Sequence, residues 1–113
     1  MDRRVLGQIG ENTAADVLRA KGYRILRQNY RCRHGEIDII AERKSGEISF
    51  VEVKTRQNFH FGRPCEAVTK EKKSHIRRVA RCYLDEMKEK GYVPRQYDFQ
   101  VIEVVVQQIE NAF

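Results

Sequence analysis

The sequence predicts an α/β fold, a mixed sheet flanked by helices in the order α-β-β-β-α-β. Three observations predict it. Two stretches place apolar residues at helical period and end in glycine. Three strand-like stretches rich in β-branched and aromatic residues lie between them. A fourth follows the second helix and closes the order.

The first helix is expected from Arg4 to Lys21, with Leu6, Ile9, Ala14, Val17 and Leu18 near helical period and Gly22 as its stop. Gly7 and Gly10 weaken its first turns, which suggests a close approach of the backbone to a neighbour. Tyr23 to Tyr30 reads as a strand, and Arg31 to Gly35 as a basic turn. Ile37 to Glu42 and Ile48 to Lys54 are stronger strands, joined by Arg43–Glu47 with its Ser-Gly turn signal. Thr55 to Glu66 has no periodicity and reads as a long loop of the kind that often carries function. Ala67 to Lys90 is the second helix. Its stripe of Ile76, Val79, Ala80, Tyr83, Leu84 and Met87 faces a core, while Arg77, Arg78, Arg81, Lys88 and Lys90 read as a solvated face. Tyr97 to Val106 is the last strand, and its near-continuous apolar end predicts burial on both faces.

A chain of 113 residues fits one domain, taken as residues 1–113, large enough to bury a core without disulfides. No apolar run approaches the ~18 residues of a membrane span. The N-terminal MDRRVLGQIGENTAAD is polar and broken by acids, unlike a secretory signal. Three scattered cysteines, Cys32, Cys65 and Cys82, fit a reducing compartment, so the expectation is a cytoplasmic protein with no membrane partner. Cys32 with His34, and His60 with Cys65, complete no zinc pattern. The net charge of +6 favours a polyanionic partner, and its placement matters more than its size.

The chemistry is concentrated in Asp38–Lys54, DIIAERKSGEISFVEVK. Side chains alternate along a strand, so Glu52 and Lys54 share one face, as do Asp38, Ile40 and Glu42. An odd-numbered turn pairs Glu42 with Ile48, Ile40 with Phe50, and Asp38 with Glu52; an even turn would separate the two acids. Carboxylates about 5 Å apart repel by about 3 kcal/mol at an effective dielectric of about 20. Lys54, a shared proton or a divalent cation can each offset that. A cation suits clustered oxygens best, and Mg²⁺ prefers one or two carboxylates plus waters and substrate phosphates. Asp38 and Glu52 are then the metal ligands, with the Val53 carbonyl as a further one. Lys54 would orient the attacking water or stabilise charge at phosphorus. The structural alternative is a solvated sheet edge on which Lys54 pairs with one of the acids.

GEIDIIA, then FVEVKTR, preceded by GENTAADVLRAKGYRILRQNYR, resembles the YraN-like family of small bacterial proteins within the PD-(D/E)XK nuclease superfamily. The likeness runs over nearly the whole chain, although Ile37 stands where the motif has proline. It implies a restriction-endonuclease-like fold in which Asp38 and Glu52 bind Mg²⁺ or Mn²⁺ and Lys54 is catalytic. It also implies that Glu11 matches the first-helix glutamate of the related archaeal Holliday-junction resolvases. Glu36 is a candidate outer group, and Asp98 and Gln100 read as structural.

Nucleic acid, DNA in the first instance, is the expected partner. Arg31, Arg33, Thr55, Arg56, Arg63, Lys70, Lys72 and Lys73 flank the acids as phosphate contacts. Tyr30, Phe59 and Phe61 are candidates for stacking on bases. No recognition helix or zinc module is evident, so shape rather than sequence would be read. Three functions follow: a metal-dependent DNA endonuclease, a nucleic-acid-binding module without cleavage, and a partner-binding adaptor. A version that resolves junctions needs a homodimer, because it cuts two strands.

Overall fold

Asp2 opens the first helix by accepting the Arg4 main-chain N–H on its carboxylate at 2.7 Å. In the computed structural model, which describes residues 2–57 and 69–113, the elements follow the predicted order. They are α1 (Arg3–Ala20), β1 (Arg24–Cys32), β2 (Gly35–Glu42), β3 (Ile48–Gln57), α2 (Lys70–Glu89) and β4 (Tyr97–Val106). The four strands form one mixed sheet in the order β1-β2-β3-β4. β1, β2 and β3 are antiparallel neighbours, and β4 runs parallel to β3 after the α2 crossover.

Each helix covers one face of the sheet. Ala14, Ala15 and Leu18 of α1 pack on Ile39, Ala41 and Val51. Val79, Ala80, Tyr83 and Leu84 of α2 pack on Ile40, Ile48 and Phe50 of the other face. The predicted α2 stripe is therefore the buried one, with Ile76 and Met87 at its margins. The α1 stripe is narrower than predicted. Ile9 and Val17 are exposed, and the buried line is Gly10, Ala14, Ala15 and Leu18. Small residues at that line let the helix lie close to the sheet. A Cβ at Gly10 would overlap the Thr55 hydroxyl, whereas one at Gly7 would meet nothing.

Three boundaries differ from expectation. β1 continues through Cys32, because main-chain pairing with β2 extends to Cys32–Gly35 and leaves only Arg33 and His34 to turn. β3 runs on to Gln57, because parallel β4 supplies register partners as far as Gln57–Val106. Thr55 and Arg56 therefore sit in a strand, not in a loop. α2 begins at Lys70 behind Thr69, whose hydroxyl accepts the Lys72 N–H at 3.1 Å, a cap worth about 1 kcal/mol. The rest of the predicted loop, with Phe59, Phe61 and Arg63, lies outside the described residues.

β4 is the largest correction. It is the edge of the sheet, not a doubly buried strand, and Tyr97, Phe99, Val101 and Val105 are each more than 40% exposed. Its apolar run had the composition of a central strand, but no fifth strand flanks it among the described residues. No helix of the described residues is long and apolar enough to cross a membrane.

Candidate active site

The β2–β3 hairpin keeps the predicted odd register: Glu42 pairs with Ile48, Ala41 with Ser49, Ile40 with Phe50 and Ile39 with Val51. There the ladder stops. Asn29 in β1, across from Asp38, has a left-handed backbone (φ 55°), a conformation asparagine tolerates better than most residues. At the same point β2 turns over: Ile37 packs in the α2 layer and Ile39 in the α1 layer, although they lie two residues apart. Asp38 is thus set in the fork where β2 and β3 part. Its carboxylate accepts the Val53 main-chain N–H at 2.7 Å. The expected Asp38–Glu52 rung is replaced by a side chain reaching across to the partner backbone.

Three acids meet in this fork. Glu11 of α1 and Glu52 of β3 each make a side-chain hydrogen bond with Asp38, and the Asn29 side chain bonds Glu11. Burial is the largest cause raising the pKa of all three from its ordinary value. For Asp38 the Val53 N–H opposes that rise, Glu36 adds to it, and the bond from Glu11 opposes it. Glu11 is raised, after burial, by the Asp38 charge and by that same bond. Glu52 is raised next by the Asp38 charge and held back by Lys72.

The ammonium on Glu52 belongs to Lys72, at 3.2 Å, on the first turn of α2. The sequence offered Lys54 as one of three ways to offset the paired acids, beside a shared proton and a divalent cation. Lys54 lies in register with Glu103 of β4, two residues beyond Glu52. The crossover brings the start of α2 over the fork, which hairpin geometry alone does not reveal. Val53 contributes its N–H to Asp38, and its side chain packs against the α1 layer.

A cleft of about 840 Å³ opens from Glu11 and Asn29 on the α1 side. Arg3, Arg4, Arg31 and Arg56 line it. Arg31 is tied to Glu36 at 2.9 Å, and Arg56 to Glu103 at 2.6 Å. Arg3 and Arg4 carry no ion pair among the described residues. Sequence reasoning passed over both, yet two arginines opening a helix oppose its dipole and were a legible signal. Asn29, a strand-averse residue inside a strand pattern, was another.

The remaining predicted contacts divide. Arg33 stays in the turn, its guanidinium 3.3 Å from the His34 ring. Lys70 and Lys73 are exposed on the first turn of α2, and Lys73 borders a pocket with Glu52. Thr55 faces α1 against Gly10 and serves close packing. Tyr30 is buried and donates its hydroxyl to Glu86 at 3.0 Å, so its ring is not available to a base. Gln100 donates to the Ser49 hydroxyl at 3.1 Å and to the Tyr23 oxygen at 3.2 Å.

The fork offers hard oxygen donors whose mutual repulsion is met by hydrogen bonds and one ammonium. Among the described residues no group of three or more His, Cys, Asp or Glu side chains is placed to hold a metal ion. Mg²⁺ does not require one, since one or two carboxylates with water and substrate oxygens suffice. Asp38 and Glu52 fit that donor set.

Comparison with known proteins places these features in a wider group. The profile described as "Uncharacterised protein family UPF0102" matches residues 10–104, which include the whole fork. A UPF0102 protein of Caldicellulosiruptor saccharolyticus is 42% identical over the full length of both chains. One from Moorella thermoacetica is 46% identical over 99% of this chain and 90% of its own. One from Symbiobacterium thermophilum is 47% identical over 92% of this chain and 84% of its own.

Proposed function

The chain belongs to the UPF0102 family, and for it we propose a divalent-metal-dependent endonuclease activity on DNA, with branched DNA as the first substrate to test. The observation that carries the reading is the fork, where three carboxyl groups from three elements meet beside an arginine-lined cleft. A fold this small has little reason to gather like charges that destabilise it. The resemblance of GEIDIIA and FVEVKTR to PD-(D/E)XK nucleases points the same way.

Asp38 and Glu52 would hold Mg²⁺ or Mn²⁺, which supplies Lewis acidity toward a phosphodiester oxygen and lowers the pKa of a bound water. The Val53 N–H fixes the Asp38 carboxylate, so that ligand is positioned in advance. Glu11, whose pKa burial raises, would serve as a base at the edge of the cleft. Lys54 would bear on the attacking water or the developing phosphorane charge. Lys72 would give up Glu52 for the phosphate. Arg3, Arg4 and Arg31 would take neighbouring phosphates without reading bases. The reaction belongs in the cytoplasm, where free Cys32 and Cys82 stay reduced.

One observation favours a second reading, a DNA-binding module without cleavage: Lys72 already neutralises Glu52 without a metal. Labelled duplex, single-stranded and four-way-junction DNA, with Mg²⁺, Mn²⁺ or EDTA, separate the two. Cutting that needs metal and is lost in Asp38→Asn and Lys54→Ala supports the nuclease. Binding without cutting, unchanged in Asp38→Asn, supports the module.

A further inference from the structure

The exposed edge of the sheet faces a row of cations. Tyr97, Phe99 and Val101 alternate along β4 in register with Ile48, Phe50 and Glu52, so they lie on the α2 face. Opposite them Lys73, Arg77 and Arg81 recur every four residues on α2, on one side of that helix. Between the two runs a groove of three adjoining hollows of about 230, 350 and 310 Å³. Arg77 and Phe99 are shared by the first two hollows, and Arg81 and Tyr97 by the last two. Glu52 closes one end, and Lys88 lines the other.

Both walls keep free surface, although Tyr97 and Phe99 also pack on the buried Phe50, with ring centroids 6.0 and 5.5 Å away. Tyr97 is 45% exposed and Phe99 42%, their ring centroids 6.0 Å apart. Lys73, Arg77 and Lys88 have no ion pair among the described residues, and Arg81 has only an exposed contact of 4.0 Å with Asp85. Four residues of helix rise about 6 Å, so the cations and the rings advance in step. Cations at regular spacing beside half-exposed rings suit a strand whose bases are free to stack and whose phosphates need neutralising. Base-paired DNA hides its bases and has no use for the rings. Among single strands, DNA is the one that the nuclease reading names, and the rings and cations serve its bases and phosphates.

We propose that the α2–β4 groove binds single-stranded DNA and leads it to the acid fork at Glu52. The inference rests on the nuclease reading for what happens at that end and names its substrate class: DNA with an unpaired strand. Arg77, Arg81 and Lys88, which the sequence assigned to a solvated face, become the phosphate wall of the groove.

The test measures fluorescence anisotropy of a labelled oligothymidylate 15-mer in EDTA at low salt, where no cleavage occurs. Arg77→Glu with Arg81→Glu is expected to weaken binding at least tenfold. Loss of two phosphate contacts should flatten the dependence of log affinity on log salt by about 1.4. Tyr97→Ala is expected to weaken binding at least fivefold. Arg19→Glu with Lys21→Glu, the same change of charge at the exposed end of α1 and outside both sites, should leave binding of this probe within twofold. Circular dichroism checks each fold, and the milder Arg77→Gln with Arg81→Gln replaces any variant that unfolds. Unchanged affinity in the groove variants overturns the proposal. So does oligouridylate binding ten times tighter than the DNA, or sedimentation showing a dimer that Tyr97→Ala disperses. Intact binding with no metal-dependent cutting of any DNA instead removes the nuclease reading and leaves the groove standing.

Discussion

The Asp38 carboxylate accepts the Val53 main-chain N–H at 2.7 Å, at the point where the β2–β3 ladder has ended at Ile39–Val51. That carboxylate links the two strands beyond the end of their ladder. Asp38→Asn keeps an acceptor for that N–H and removes a charge from the acid cluster. It should match or exceed the wild type in urea unfolding without metal. Asp38→Ala removes the acceptor too and should cost about 1–2 kcal/mol. Equal loss in both variants would show that charge, not the bond, dominates.

The acid fork also sets a pH dependence. Glu11, Asp38 and Glu52 are all raised, chiefly by burial, so the folded chain holds their protons more tightly than the unfolded chain. Their contribution to stability is complete below the ordinary carboxylate range and is lost as pH rises through the raised values. Surface ion pairs act in the opposite sense, so the comparison is made between variants. In EDTA, the Tm of Asp38→Asn minus that of wild type should grow from about pH 4 to pH 7. A constant difference would mean the three acids do not share their protons.

Divalent cation should reverse that loss. At pH 7, Mn²⁺ or Mg²⁺ at one hundred times its dissociation constant should stabilise the chain by about 2.7 kcal/mol. At pH 4.5 the gain should shrink, because Glu11 and Glu52 retain protons, and in Asp38→Asn it should be largely gone. Thermal melts across a cation titration read all three.

Two glycines of α1 should respond in opposite directions. Gly10→Ala drives a methyl group into the Thr55 side chain and should cost about 1–3 kcal/mol. Gly7→Ala meets open space and should stabilise by up to about 1 kcal/mol through helix propensity. Urea midpoints for the two variants provide the measurement.

The groove and the fork differ in how far the sequence exposes them. GEIDIIA and FVEVKTR put Asp38 and Glu52 together before any fold was known, because strand alternation and turn parity are short-range rules, whereas Glu11 entered only through the resemblance to junction resolvases. The partner of Glu52 was not legible. Lys72 lies twenty residues on, and only the crossover to a parallel strand carries α2 back over the fork. The arginines of α2 were readable as a polar face, but what that face borders depends on which strand is the sheet edge.

By itself the sequence determined the order of elements, the hairpin register and the approach of Asp38 to Glu52. Each is decided by neighbours a few residues apart, through side-chain period and turn length. The tertiary structure alone decided that β4 is an edge, that Asn29 and Asp38 mark the place where the sheet splits, and that Lys72 faces Glu52. Those relations join segments distant in the chain, and packing of two helices on opposite faces of one sheet brings them together.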